Sequence, residues 1–446
     1  MIVKNFIAKN VYGYLDFNIK FKNGISFLVG GNGSGKTTAL KLMNALVTPS
    51  FKELLLIIYD RIELEIEFKG EKILITSETI GDEKTLKISS IGDVIVFRSY
   101  LDFEFDQFVR GSEKFDSVVE TINREYSNHE IIQKITEIPT PIFLGLDRRN
   151  DIVADNSTDY YHEKERWLFE SSKRARSARR LIKGSLGYSL MEIEFLVQSS
   201  YKRLRVLEER QSEKLRDEIL ASTFEYNGLD SLDLSMESIN WSERTKLIKR
   251  KKEIKDALSK IGIKGSRLSK ELDKFFENLD RLIGLLSDGD KGFHLEWLMN
   301  KAQIERISKI VDIIDEHKSK VDNLFKPIND FVSTINDFYS DSRKEIVIDP
   351  VGQIFFKRLN GDKCTIESLS SGERQLLVIF AHAFLNLGNK KNNVFIIDEP
   401  ELSLHLRWQE KFSEIIEGLS TKSQFIMATH SPEIVGGLKS NVVKCR

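Results

Sequence analysis

A chain of 446 residues is too long for one ordinary hydrophobic core and predicts two or three domains. Its 41% hydrophobic and 30% charged content describe a soluble globular protein with a sizeable charged, helical part. With 67 basic against 68 acidic side chains the net charge is −1, so global charge singles out neither nucleic acid nor membrane as a partner, and only local patches could.

In chain order, Ile2–Ala8 and Tyr14–Phe21 alternate apolar and polar residues and predict paired strands, followed by a strand over Ile25–Val29. That strand runs into Gly30-Gly31-Asn32-Gly33-Ser34-Gly35-Lys36-Thr37-Thr38 and then into a helix carrying Ala39, Leu40, Leu42, Met43 and Leu46. Gly30, Gly33 and Gly35 let the backbone curl so that successive N–H groups face one point with no side chain in the way. The helix N-terminus adds its positive partial charge there. Lys36 supplies a full charge for β- and γ-phosphates, and the Thr37 hydroxyl is placed to ligate Mg²⁺. A glycine-rich hairpin with a chance lysine is the competing reading, but strand before and helix after supply the context the pattern requires. The stretch implies binding of a nucleoside triphosphate together with Mg²⁺.

Beyond the first helix, Arg61–Phe68, Lys72–Ser77 and Thr85–Ser89 alternate again and predict an antiparallel sheet, with Val94–Phe97 a further strand candidate. Phe115–Ile135 reads as one helix and Pro139–Leu144 as a short buried strand with its prolines at the entry. The polar run Leu146–Tyr161 marks a long loop and a domain boundary. After it, Leu190, Ile193, Val197, Tyr201, Leu204, Leu215 and Ile219 recur at helical spacing. Helices are expected over Leu247–Ile261, Leu268–Leu286 and Phe293–Phe325, and over Ile328–Phe338 after a break at Pro327. Ile304, Ile307, Val311, Ile314, Val321 and Leu324 form the seam of a helical hairpin or bundle, and Gly262, Gly265, Gly284 and Gly289 interrupt any single long coiled coil. Strands return at Glu345–Ile348 and Gln353–Lys357. The α/β pattern continues with helix Gly372–Leu387, strand Val394–Ile397, helix Arg407–Leu419, strand Gln424–Ala428, helix Glu433–Leu438 and strand Asn441–Val443. The predicted domains are an N-terminal lobe 1–150, an inserted helical hairpin or bundle 151–342, and a C-terminal lobe 343–446. The predicted fold class is an α/β domain split between the two chain ends, with an inserted helical or coiled-coil domain.

Val394 to Glu399 is an apolar strand ending in two carboxylates. Asp398 at its tip suits Mg²⁺ held through water, and Glu399 suits polarisation of an attacking water; alone such an ending is common, and the phosphate loop in the same chain gives it meaning. Leu369-Ser370-Ser371-Gly372-Glu373-Arg374-Gln375 opens a helix and by itself is an ordinary N-cap. His430, in Ala428-Thr429-His430-Ser431-Pro432, follows a strand; a lone histidine is more often structural.

Taken together and in this order, these stretches resemble the ABC-type ATPases, in which an LSGGQ-type signature of one subunit closes on the γ-phosphate held by the other. The resemblance implies that Ser370, Ser371, Gly372 and Glu373 contact nucleotide in trans, that His430 is the switch histidine, and that the chain forms a head-to-tail dimer or a higher oligomer. Ser371 stands where the family often has Gly, and Glu373 where transporters have Gln, a form closer to the SMC, Rad50 and RecN branch. Glu399-Pro400-Glu401-Leu402-Ser403-Leu404-His405 resembles the D-loop of OLD-type ATPases, without their proline after the histidine. Gln107 and the pair Arg148-Arg149 are candidates for the Q-loop, and a plain surface role fits both as well.

The same wording resembles the OLD/AAA-type ATPases of prokaryotic phage defence, relatives of AriA of PARIS and PtuA of Septu. The resemblance implies a slow ATPase acting as an ATP-gated sensor and scaffold. Its partners would be a separate effector nuclease or toxin and a phage protein as trigger, since the 16 residues after His430 leave no room for a nuclease. The alternative is a RecF- or Rad50-like repair clamp with DNA as partner, for which Lys173-Arg174-Ala175-Arg176, Arg179-Arg180, Lys183 and Lys249-Arg250-Lys251-Lys252 are the candidate basic patches. A transporter subunit is disfavoured by the long insertion. The 2 cysteines, Cys364 and Cys445, exclude a disulfide framework and a cysteine zinc hook. With no leader and no long apolar run, the expected location is cytoplasmic, away from any membrane.

Overall fold

β1 (Ile2–Val11) and β2 (Leu15–Lys20) form an antiparallel hairpin that buries Phe6, Ala8, Val11, Leu15, Phe17 and Ile19. This computed structural model describes residues 1–48, 51–98, 113–145, 185–224, 250–260, 266–285, 292–386, 394–421 and 423–445. β3 (Ile25–Val29) leaves the hairpin for another sheet. β4 (Arg61–Phe68), β5 (Glu71–Ile80), β6 (Glu83–Ile88) and β7 (Ile95–Arg98) extend the hairpin into a six-stranded sheet of order β2-β1-β4-β5-β6-β7. Its period of two places Ile62, Leu64, Ile66, Ile73, Ile75, Leu86 and Ile88 in one core with Leu40, Met43 and Leu46 of the helix Lys36–Val47. Glu63, Glu65 and Glu67 on β4 alternate with those apolar residues and pair with Arg61, Lys72 and Lys4.

β8 (Ile142–Leu144), β12 (Val394–Asp398), β13 (Gln424–Thr429) and β14 (Val442–Lys444) join β3 in a parallel five-stranded sheet of order β14-β3-β13-β12-β8. Every residue of β12 and β13 is buried, the continuous apolar signature of a parallel sheet covered on both faces. β3 and β8 come from the first third of the chain and the other three from its end. Gln424 ties these ends together: its side chain bonds the N–H and C=O of Val3 and the carbonyl of Lys22, each at 2.8 Å. The α/β head split between the chain ends, with a helical insertion, is therefore the architecture the chain adopts. A small antiparallel sheet of β9 (Lys344–Ile348), β10 (Ile354–Arg358) and β11 (Lys363–Cys364) precedes the signature segment.

Two compact units result: residues Met1–Ser200 with Pro327–Arg446, and Tyr201–Lys326. The segments 185–200 and 327–342, which the sequence reading assigned to the insertion, belong to the first of these. In the second, Leu215, Ile219, Ile254, Leu258, Phe276, Val311 and Ile314 form a separate apolar core contributed by the helices Ser185–Phe224, Lys251–Lys260, Ser266–Leu285 and Gly292–Tyr339. The basic run at 250–251 is already paired there: Arg250 with Asp315 and Glu253, and Lys251 with Asp273 at 2.8 Å.

Pro327 does not break its helix, which runs without interruption from Gly292 to Tyr339. Proline removes one backbone hydrogen bond, but Ile328, Phe331, Ile335, Phe338 and Tyr339 follow it at helical spacing and are all buried, which offsets the loss. Gly284 is the last residue but one of the helix Ser266–Leu285. Phe115–Ile135 is two helices, Glu113–Tyr126 and Glu130–Glu137, parted where His129 caps the second by accepting from the Ile131 N–H. Gln107, Arg148, Arg149, the loop 146–161, the basic run 173–183, Lys249, Gly262, Gly265 and Gly289 lie outside the described residues. Among the described residues no helix is long and apolar enough to cross a membrane.

Candidate nucleotide site

The parallel register sets the site. Val29 pairs with Thr429, and Ala428 pairs with Asp398, so β3, β13 and β12 end side by side. Ligands of parallel α/β sheets bind beyond these carboxyl ends. The loop of Gly30 to Gly35, the Glu399 turn and His430 are the three segments that emerge there.

Gly33 and Gly35 have φ of +77° and +85°, the left-handed conformation that glycine adopts without strain. A Cβ on Gly35 would stand 2.7 Å from the Phe17 ring and 3.0 Å from a Leu15 methyl, so the β1–β2 hairpin holds the loop from beneath. Asn32 and Gly33 are exposed, Thr38 is half-buried, and Ser34 Oγ is buried without a hydrogen-bond partner. The helix that follows begins with no side-chain cap and no acidic residue in its first turn. Its amino-terminal N–H groups are thus left to an anion.

Lys36 is 6% exposed. Its ammonium donates to the carbonyls of Gly30 at 2.9 Å and Gly31 at 3.3 Å, and stands 2.6 Å from His430 Nε2. Burial holds its pKa below the ordinary lysine value, against the opposing pull of Cys445, Asp398, Glu399 and Glu401. Thr37 Oγ1 donates to Asp398 Oδ2 at 2.7 Å. A hydroxyl and a carboxylate this close are two oxygen ligands of the kind Mg²⁺ takes, the remainder coming from water and phosphate. An orphaned Ser34 hydroxyl, an uncapped helix start and this oxygen pair fit a Mg²⁺–triphosphate. Among the described residues no group of three or more His, Cys, Asp or Glu could hold a metal ion.

The helix Ser371–Leu385 is the opposite case. Ser370 caps it, accepting from the Glu373 N–H, while Glu373 accepts from the Ser370 N–H at 2.6 Å, so this N-terminus is closed on itself by a capping box. Ser370 and Ser371 are exposed and Gly372 is buried; a Cβ on Gly372 would stand 2.5 Å from the Ser403 carbonyl. Glu373, read as a nucleotide contact, is only 1% exposed and has an internal task instead. Its carboxylate pairs with Lys344 at 2.8 Å and accepts from Ser342 Oγ at 2.5 Å, and its carbonyl accepts from Tyr339 Oη at 2.8 Å.

Glu399 has φ of +46°, unusual for a residue with a side chain, and its N–H is fixed on the Ala428 carbonyl at 2.8 Å. Such strain is a feature of functional sites. His405 is exposed and packs on Trp408 with ring centroids 4.7 Å apart. Two residues escaped the sequence reading. Cys445 lies under the loop, its N–H on the Val29 carbonyl at 3.0 Å and its Sγ on the Ser34 carbonyl at 3.5 Å. Glu401 reaches the His430 segment, a contact that no local pattern signals.

The AAA ATPase domain family matches this chain over residues 1–435. The chain belongs to that family. Within the AAA ATPases it is similar to "Retron Vc95 probable ATPase" of Vibrio cholerae serotype O1 biovar El Tor, 27% identical over 169 residues. That match covers 34% of this chain and 32% of the relative, so it spans about a third of the relative's length. Solved structures similar to this AAA ATPase include the Smc head domain with an extended coiled coil bound to the C-terminal domain of ScpA, from Pyrococcus furiosus. The identity there is 13%, with a TM-score of 0.41, over 100% of this chain and 94% of that one. The SMC head domain from Thermotoga maritima is 11% identical with a TM-score of 0.36, over 98% and 91%.

Proposed function

We propose that this AAA ATPase hydrolyses ATP at a site enclosed by two copies of the chain, and that the ATP-bound pair gates a separate effector in anti-phage defence. The observation that carries the catalytic half is the meeting of Lys36, Thr37, Asp398 and His430, drawn from opposite ends of the chain, at the carboxyl edge of one parallel sheet. Asn32 to Thr38 would cradle the phosphates through backbone N–H groups, and Lys36 would exchange the Gly30 and Gly31 carbonyls for phosphate oxygens. Thr37 and Asp398 would hold Mg²⁺, which when bound supplies neutralisation of the β- and γ-phosphate charge. Glu399 would orient the attacking water and His430 would sense the γ-phosphate. The exposed Ser370 and Ser371, on a helix start already capped from within, would serve the nucleotide of a second copy through hydroxyls and turn backbone.

Similarity to a retron ATPase and the OLD-like wording of Glu399 to His405 support the defence half, with an effector nuclease or toxin as partner and a phage protein as trigger. Among the described residues of the candidate basic runs, Arg250 is paired with Asp315 and Glu253 and Lys251 with Asp273, while Lys252 is exposed. Two experiments test the reading. Purified protein should hydrolyse Mg²⁺-ATP and Lys36→Ala should lose nucleotide binding; unchanged affinity in that variant would overturn the site. Affinity capture from the native host should recover a nuclease or toxin encoded beside it, and capture of duplex DNA alone would favour a repair clamp.

A further inference from the structure

The turn after β12 lies between two elements that the proposed cycle must coordinate. On one side it meets the signature helix: Gln375 Nε2 donates to the Pro400 carbonyl at 3.0 Å, and Ser403 presses its carbonyl on Gly372. Internally it is fixed by bonds from Leu402 N–H to the Glu399 carbonyl and from Leu404 N–H to the Glu401 carbonyl, with Ser403 at φ +62°. On the other side it extends the Glu401 side chain toward the end of β13. Its Oε1 accepts from the His430 N–H at 2.6 Å and its Oε2 accepts from Thr429 Oγ1 at 2.9 Å. Thr429 Oγ1 in turn accepts from the Ser431 N–H at 3.0 Å, so the carboxylate organises three successive residues at the end of β13. The central one, His430, stands 2.6 Å from the Lys36 ammonium.

We propose that Glu401 is a positioning residue for ATP hydrolysis, holding His430 against Lys36 and linking that pair to the signature helix through the turn it sits on. The role rests on the nucleotide site proposed above. Each oxygen of the Glu401 carboxylate already accepts one hydrogen bond, from Thr429 and from His430, an arrangement that suits holding this segment in place. A movement of the signature helix on a second copy's nucleotide would displace Pro400 and Ser403, then Glu401, then His430. A displacement of about 1 Å at a reacting centre costs on the order of 100-fold in rate.

The test is a double-mutant cycle in Mg²⁺-ATPase kinetics on the full-length chain. Glu401→Ala should lower kcat about 10- to 100-fold while Kd for ATP stays within about threefold, the signature of an interaction used only in the reaction. In a His430→Ala background the same change should cost less than about twofold, because its effect passes through His430. Glu401→Gln keeps an acceptor for the His430 N–H and should retain most of kcat; it also serves if the alanine variant fails to fold. Wild-type kcat in Glu401→Ala overturns the proposal, as do losses that multiply in the double variant. A Gln variant as inactive as Glu399→Gln would make the carboxylate part of the chemistry and overturn it too. Failure of the underlying site looks different: wild-type protein would bind no ATP, and this role would fall with it.

Discussion

Lys344→Met isolates what holds the signature turn. Lys344 is the one cation on Glu373 among the described residues, with side-chain exposures of 16% and 1% for the pair, and it also donates to the Ser368 carbonyl at 3.0 Å. Removing it leaves a buried carboxylate with only Ser342 Oγ and the Ser370 N–H. Breaking one half of a buried pair costs about 3–5 kcal/mol, since the remaining charge loses its compensation. For a domain of this size the loss corresponds to a fall in Tm on the order of 5–10 °C, readable by circular dichroism. Lys344→Met/Glu373→Gln removes the stranded charge and should recover more than half of that fall. Burial works to raise the Glu373 pKa, but hydrogen bonds from Lys344, Ser342 and Ser370 N–H outweigh it, and the net shift is downward. A depressed carboxylate contributes stability above its unfolded pKa of about 4.3 and loses it as pH falls through the lower folded value. The difference between wild type and Lys344→Met should therefore be largest near neutral pH and shrink on acidification, as Glu373 takes up its proton first in the variant, where burial is no longer offset by Lys344, and then in wild type. A Lys344→Met protein that melts within about 1 °C of wild type at pH 7 would refute the reasoning.

Other outcomes follow from the same geometry. Ser370→Arg and Lys36→Ala should each be inactive alone, and mixing them should restore part of the activity, because one intact composite site then forms; no recovery would argue against sites shared between copies. Lys84 is fully buried, donating to the carbonyls of Leu54 and Ile57 at 2.6 and 2.7 Å, and burial lowers its pKa to about 7. Between there and its unfolded value of about 10.4 the unfolded chain binds the extra proton, so stability should rise with pH across that window. Lys84→Met should flatten the rise in Tm between pH 7 and 9, and an equal rise in both proteins would contradict the assignment. Thr37→Ala should weaken Mg²⁺-dependent ATP binding more than metal-free binding, measured by titration with and without a chelator; equal weakening would remove Thr37 from the cation.

Much of this was legible in the chain because it is local. The turn at Gly33 and Gly35, the apolar β12 ending in Asp398, and the strand before His430 each announce themselves within ten residues. The individual strands at β3, β12 and β13 were legible from short, mostly apolar runs, whereas their parallel pairing, which joins Ile25 to Phe425 across nearly the whole chain, shows only in the fold. What stayed hidden depends on partners distant in sequence. Glu373 reads as a surface signature residue until Lys344 and Ser342 surround it. Glu401 is one carboxylate in an acidic turn until His430 arrives. Pro327 looks like a stop because a sequence shows the lost hydrogen bond but not the five buried side chains that follow it. The segments 185–200 and 327–342 carry the same helical period as the insertion, and periodicity alone does not say against which core a helix packs.

Hydrolysis in the proposed cycle requires a nucleotide enclosed between the Lys36 loop of one copy and the Ser370 turn of another. Light scattering on the Glu399→Gln protein with Mg²⁺-ATP tests this directly, since hydrolysis is blocked while binding remains. A dimer or larger assembly that forms with ATP, and that Ser370→Arg abolishes while nucleotide stays bound, is the predicted result. An ATP-saturated Glu399→Gln protein that remains a single copy at every concentration measured would contradict it.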